Sequence, residues 1–223
     1  MAGGPKMTEP TKELILVADP MCSWCWGFAP AMAAIRRDFG DQLGLSLVVG
    51  GLRPGTTDAM TDDMKGEIKH HWEHVNEASG QPFDFDFFNR DGFIYDTEPG
   101  CRAAVTVRGI KPEAAFDFLE TLHRSFYAEN KDITDIDVLT DLAVDLGIDA
   151  EHFRKVFLSD EARSQTANDF AYARSMGVSG FPTIVAKEPG ENGESQYAYL
   201  TVGYRPYEGL EPMLREWIGT KAN

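Results

Sequence analysis

Two cysteines separated by two residues, Cys22-Ser23-Trp24-Cys25, stand between an apolar run, Leu14-Ile15-Leu16-Val17-Ala18, and a stretch with helical periodicity. At a strand-to-helix junction the two thiols can close a small disulfide ring, and there the spacing reads as a redox pair. The first sulfur falls where the N–H groups of the opening turn and the positive end of the helix dipole favour thiolate over thiol. Thiolate is the species that attacks disulfides, so the motif predicts dithiol–disulfide exchange. Cys22 is the expected exposed, attacking thiol. Cys25, one turn into the helix, is the expected buried, resolving one.

The flanking pattern extends the argument. Glu13–Ala18 reads as a buried strand ended by Asp19-Pro20. From Cys25 to about Phe39, the residues Phe28, Met32, Ile35 and Phe39 mark one helical face, with Arg36, Arg37 and Asp38 toward water. Gly40 stops that helix, and Leu43–Val49 reads as a second strand, giving a βαβ unit with parallel pairing. Residues 56–79 read as a polar helix, and Phe83–Phe88 as an extended segment clamped by its rings. A helix follows from about Thr97 to Arg108, then one opened by Pro112 and running to Ala128. Thr134 with Asp137, Asp149 before Glu151, and Ser159 or Asp160 mark three further helix starts. The β pattern returns at Thr183–Lys187 and Tyr197–Val202, joined by a turn over Glu188–Gln196, and an amphipathic helix closes the chain over Pro206–Ile218. The expected fold is α/β: a thioredoxin fold (βαβ…ββα, central mixed sheet) interrupted by a large all-helical insertion. Residues 13–52 and 177–219 would form the thioredoxin-like domain and residues 53–176 the helical insertion domain.

Composition removes several function classes. The 223 residues carry 36 acidic against 21 basic side chains, a formal net charge of −15. Nucleic acid and anionic membrane surfaces repel such a chain. Three cysteines, Cys22, Cys25 and Cys101, cannot build a multi-bridge scaffold, and a single CxxC cannot supply a four-cysteine zinc site. Met1–Lys6 shows no apolar core of a signal peptide, and nothing approaches the ~18 apolar residues of a membrane span. The expected location is cytoplasmic.

A second element, Phe181-Pro182-Thr183, precedes the third strand. A proline there suits a cis bond that turns the loop backbone toward Cys22, where its free groups can hold an extended peptide. Ser23, Trp24, Phe181 and Thr183 are the candidate substrate-binding residues. Ser23 offers a hydroxyl near a sulfur, and Trp24 a large ring without titratable charge.

Asp19-Pro20-Met21-Cys22-Ser23-Trp24-Cys25-Trp26-Gly27-Phe28, the helical insertion, and Gly177-Val178-Ser179-Gly180-Phe181-Pro182-Thr183 together resemble the DsbA-like family of the thioredoxin superfamily, in its cytoplasmic, FrnE-like branch. The resemblance spans Glu13 to Ile218. It implies that Cys22 is the nucleophile, Cys25 the resolving thiol and Pro182 the cis-proline of the active site. Periplasmic members carry Pro-His between the cysteines, whereas Ser23-Trp24 stands here, a departure that argues against strong oxidase behaviour. A neighbouring branch of glutathione-dependent transferases and isomerases places serine at the key position; the intact pair argues against it.

Other residues invite chemistry with less force. His70 and His74, with His71 between them, share a helix face at metal-holding spacing, but no zinc-protease pattern is completed and a solvated face is the plainer reading. Cys101 reads as a buried small hydrophobe or a third redox thiol. Asp19 either titrates beside the site or caps the turn before Cys22. Trp26 and Phe28 are candidates to line a groove, although the spacing of Phe28 with Met32 places it inside. The expected activity is reduction or isomerisation of protein disulfides by a protein-disulfide oxidoreductase without a bound cofactor, regenerated by an external dithiol or glutathione. Its partners would be disulfide-containing proteins or small thiols. The alternatives are a glutathione-dependent transferase or isomerase acting in the cleft between sheet and insertion, and a holdase.

Overall fold

The computed structural model describes residues 12–190 and 194–219. Met1–Lys6 and the tip of the Glu188–Gln196 turn lie outside the described residues. Strand β1 (Glu13–Ala18) alternates its side chains between two covered faces. Leu14, Leu16 and Ala18 turn to one core, and Ile15 and Val17 to another. A strand buried on both faces needs a continuous apolar run, which Leu14–Ala18 supplies. β1 pairs in parallel with β2 (Gly44–Val49), Leu16 opposite Leu47. On its other side it pairs antiparallel with β3 (Thr183–Pro189), Leu16 opposite Ile184. β4 (Ser195–Val202) completes the sheet in the order β2-β1-β3-β4, with a register shift at Ile184/Val185.

Helix α1 (Ser23–Phe39) crosses from β1 to β2 and lays Phe28, Met32, Ile35 and Phe39 on the sheet. The closing helix, α8 (Tyr207–Gly219), buries Leu210 and Leu214 in the same layer. Between β2 and β3 run α2 (Asp62–Ser79), α3 (Glu98–Ile110), α4 (Ala115–Tyr127), α5 (Ile136–Asp145), α6 (Ala150–Phe157) and α7 (Asp160–Ser175). The arrangement is the thioredoxin fold with helices inserted after β2. Ala173 of α7 covers the opposite face of the sheet, with Val17, Val48 and Val185.

The inserted helices pack around a second core that also takes in Met21, Trp26 and Val49 and holds the fully buried Trp72. Its ring lies 5.0 Å from that of Phe87 and 4.9 Å from that of Tyr127. The expected extended segment Phe83–Phe88 is instead a 3-10 helix over Phe85–Asn89, opened by Asp84, whose carboxylate accepts the Asp86 N–H at 2.9 Å. The turn lets Phe83, Phe85, Phe87 and Phe88 all reach Trp72, which a strand's alternation would forbid.

Three helix starts differ from expectation. α2 begins at Asp62 rather than near residue 56, because the backbone before it pairs with another segment: Met60 N–H donates to Phe93 O at 2.9 Å. Thr61 then caps the helix. Pro112 opens a 3-10 turn, Pro112–Ala114, ahead of α4. Asp135, not Thr134, caps α5, since the Thr134 hydroxyl is taken by Asp132 at 2.6 Å.

Candidate redox site

Cys22 is the N-cap residue of α1. Its carbonyl accepts the first helical bonds, from Cys25 N–H at 3.0 Å and Trp26 N–H at 3.2 Å. No side chain caps this end, which leaves N–H groups of the opening turn without a helical partner. The Cys22 thiol makes a weak contact with Phe181 O at 3.6 Å, and the Phe181–Pro182 bond is cis. The loop before β3 therefore faces the sulfur. Phe181 can lie there because Gly50 leaves room. A Cβ on Gly50 would stand 2.0 Å from the Phe181 ring.

The turn before Cys22 is built around Asp19, which is fully buried. One carboxylate oxygen accepts Met21 N–H at 2.8 Å, the other Leu52 N–H at 2.6 Å, and Cys101 donates to the second at 3.3 Å. The Asp19 carbonyl accepts Cys22 N–H at 3.1 Å. Asp19 thus caps the turn and ties it to the loop after β2. Burial pushes its carboxyl up, against the pull of the two N–H donors. Cys101 is a buried thiol bonded to a carboxylate, and burial pushes it well up as well.

Sequence reasoning missed two groups beside this turn. Tyr95 donates from its hydroxyl to Met21 O at 2.7 Å. His123 of α4, 2 % exposed, places Nε2 at 3.1 Å from Asp19 O, and its Nδ1 has no partner among the described residues. Burial lowers its pKa to about 4, so the imidazole is neutral near pH 7. A lone histidine on an amphipathic helix carries no local signal of this role.

The two thiols differ in environment. Cys25 is 3 % exposed, and burial followed by the neighbouring Cys22 pushes its thiol well up. Cys22, expected to be exposed, is only 6 % exposed. It lines a cleft of about 280 Å³ with Ser23, Trp24, Phe181, Arg53 and His71. Phe181, whose carbonyl meets the thiol, and Leu52 and Arg53 of the loop after β2 line the same cleft. Cys25 lines a separate cavity of about 20 Å³ with Pro182 and His123, enough for one water. Thr183, expected at the substrate surface, is fully buried in β3 and donates to Gly180 O at 2.8 Å. The start of β3 is covered on both faces, so Thr183 is buried whichever face its side chain takes. Trp26, a candidate for the groove, is buried and donates from its ring N–H to Pro82 O at 3.0 Å, pinning the insertion to α1. Phe28 is in the core, as its spacing indicates. His70 and His74 lie side by side, 4.0 Å between ring centres, on an exposed face. Among the described residues no group of three metal-ligating side chains gathers.

A CxxC pair at a helix N-terminus, faced by the loop before an antiparallel strand on this sheet, defines a thiol–disulfide oxidoreductase of DsbA-like architecture. The chain belongs to the thioredoxin family, whose model matches residues 16–211. It is similar to the crystal structure of a candidate protein disulfide isomerase from Nitrosomonas europaea. The two share 41 % identity and a TM-score of 0.85, over 93 % of this chain and 98 % of that one. The cytosolic disulfide reductase DsbM from Pseudomonas aeruginosa shares the fold, with a TM-score of 0.73 at 23 % identity over 92 % and 98 % of the chains. Among curated proteins, the ClpXP adapter protein SpxH of Halalkalibacterium halodurans is 24 % identical over 94 % of this chain and 68 % of the relative. No described helix is long and apolar enough to cross a membrane.

Proposed function

We propose that the chain reduces or isomerises disulfides in the cytoplasm, with Cys22 as nucleophile, Cys25 as resolving thiol and Pro182 shaping the loop that receives substrate. The observation that carries this reading is the asymmetry of the pair. Cys22 opens onto the cleft, whereas Cys25 lies behind it beside a space for one water. The Cys22 thiolate attacks one sulfur of a substrate disulfide, forming a mixed disulfide and expelling the other sulfur as thiolate. Cys25, once deprotonated, attacks Cys22 Sγ, closes the Cys22–Cys25 disulfide and releases the second substrate thiolate. An external dithiol or glutathione returns the two electrons and two protons. In isomerisation a substrate thiolate, rather than Cys25, attacks the substrate sulfur of the mixed disulfide, forms a new substrate disulfide and expels the Cys22 thiolate, so the pair ends reduced. No bound cofactor is needed for either route. Ser23, Trp24 and Phe181 would flank the substrate, with Trp24 braced by Tyr204, ring centres 5.5 Å apart. Similarity to a cytosolic reductase and the absence of Pro-His between the cysteines favour traffic toward thiols and support a reading as a FrnE-like protein.

Insulin reduction by dithiothreitol tests the proposal. Wild type is expected to accelerate it, and Cys22→Ser is not. Equal acceleration by both, or none by wild type, would overturn it. Cys25→Ser is expected to accumulate the mixed disulfide, readable as added mass under non-reducing conditions.

The curated relatives favour a second reading, an adapter that hands a bound protein to a protease. Delivery that persists in a Cys22→Ser, Cys25→Ser double variant would favour it over exchange.

A further inference from the structure

The cleft that holds Cys22 runs against the charge of the molecule. The chain as a whole carries −15. Yet the charged or titratable side chains around this opening, apart from Cys22 and Tyr95, are Arg53 and His71, and among the described residues no carboxylate lines it. Arg53 forms no ion pair with any described carboxylate. An arginine without an ion pair, on the same cleft as the reactive sulfur in a protein with a large excess of acid, is available to an incoming anion.

Its backbone is held in register with the nucleophile. Arg53 N–H donates to Thr97 Oγ1 at 3.1 Å, and Thr97 N–H returns to Arg53 O at 3.3 Å. The residue before Arg53 and the residue before Cys22 are joined by one side chain: the Asp19 carboxylate accepts Leu52 N–H with one oxygen and Met21 N–H with the other. The carboxylate is buried and bonded from several sides, so the backbone that carries Arg53 is held beside the turn that carries Cys22, while the guanidinium itself is exposed. Preorganisation of this kind lowers the cost of binding.

We infer that Arg53, supported by His71, is the anchor for a carboxylate carried by the substrate next to its disulfide, so that the cleft selects anionic disulfides. The inference rests on the exchange reaction proposed above and deepens it by naming the substrate class. A guanidinium pairs with a carboxylate through two parallel N–H donors, which fixes direction as well as affinity. The same chemistry is offered by the terminal carboxylates of glutathione disulfide and by acidic residues flanking a cystine in a polypeptide. Substrate exchange itself is unchanged: the anchor holds the anion while the Cys22 thiolate displaces one sulfur and expels the other as thiolate.

The test compares disulfides of different charge. Glutathione disulfide is anionic, 2-hydroxyethyl disulfide neutral and cystamine cationic. For wild type, kcat/KM is expected to fall in that order. In Arg53→Gln the preference for glutathione disulfide over 2-hydroxyethyl disulfide should drop about ten-fold, mostly through KM, with Arg53→Lys between the two. Added salt should erode the wild-type preference and leave that of Arg53→Gln flat. A cystine peptide flanked by glutamates, against its glutamine counterpart, separates the two sources of the anion. Preference for the acidic peptide supports a polypeptide substrate, and preference confined to glutathione disulfide supports the small molecule. An unchanged preference in Arg53→Gln overturns the inference. If wild type turns over none of the probes, the exchange reading fails while the anchor stays testable. S-methylglutathione binding to Cys22→Ser by calorimetry should then weaken about ten-fold on adding Arg53→Gln, and equal binding overturns it.

Discussion

His123 Nε2 lies 3.1 Å from the backbone oxygen of Asp19. A carbonyl offers only lone pairs, so the ring proton belongs on Nε2 and Nδ1 is left as an acceptor. The pair joins α4 to the turn that carries Cys22, which makes the protonation state of one buried imidazole a matter of stability for the site.

The sign of the pH effect follows from burial. His123 has its pKa lowered to about 4, against about 6.5 in an unfolded chain. A depressed value means that the unfolded state takes up the proton first. The stabilisation is complete above the unfolded value and is lost as pH falls through about 4. The full difference is about 3 kcal/mol. Asp19 acts in the opposite sense: its raised carboxyl favours the folded state at low pH and loses that contribution as pH rises. Comparing wild type with His123→Leu isolates the imidazole. Between pH 7 and pH 4, wild type should lose roughly 2–3 kcal/mol more in urea denaturation than the variant. Equal losses would mean that His123 is not held neutral.

Two glycines should respond to alanine with opposite signs. Gly50 faces the Phe181 ring, where a Cβ would stand 2.0 Å away, so Gly50→Ala must displace the residue whose carbonyl meets Cys22. Overpacking of this kind costs about 1–3 kcal/mol, and insulin reduction should slow with it. Gly66 lies inside α2 with nothing within 4 Å of its would-be Cβ. Gly66→Ala should stabilise by about 0.5–1 kcal/mol through helix propensity alone. Urea midpoints and exchange rates for the two variants check both signs, and a harmless Gly50→Ala would show that Phe181 is free to move.

What could be read in the sequence was what repeats locally. The Leu14–Ala18 run and the spacing of Phe28, Met32, Ile35 and Phe39 gave the first strand and helix because periodicity reports which faces are covered. The Cys22–Cys25 spacing and Pro182 were legible as motifs rather than as periodicity, and the structure sets the loop carrying Pro182 against Cys22. What stayed hidden depended on partners distant in the chain. Nothing near Asp19 announces that its carboxylate bonds to Leu52, or that His123 reaches its carbonyl from α4. Thr183 read as a surface residue because its motif does not show that both faces of β3 are covered there. The ring run at Phe83–Phe88 misled for a related reason: alternating acids and aromatics look like a strand until Trp72 is there to be surrounded.

Cys101 should behave as a silent thiol. It is fully buried and donates to Asp19, and burial and the adjacent carboxylate both push its thiol up, which removes the reactive thiolate at neutral pH. In the reduced native protein, N-ethylmaleimide is expected to leave Cys101 unmodified while Cys22 reacts through the cleft. In denaturant all three cysteines should react. Peptide mapping after timed labelling distinguishes them. Native labelling of Cys101 at a rate near that of Cys22 would place it among the working thiols.

Trp72 allows the insertion's core to be weighed by size and by polarity separately. The side chain is fully buried among Phe83, Phe87, Phe88, Phe126 and Tyr127, and its ring N–H has no partner among the described residues. Trp72→Ala opens a large cavity and should cost about 3–5 kcal/mol. Trp72→Phe keeps most of the ring contacts and removes the orphaned donor, whose burial costs about 1–3 kcal/mol. The two effects oppose, so the phenylalanine variant should lie within about 1.5 kcal/mol of wild type. Chemical denaturation of the two variants measures both quantities. A phenylalanine variant as damaged as the alanine one would mean that the indole N–H is bonded after all, and that its partner matters more than the ring it sits on.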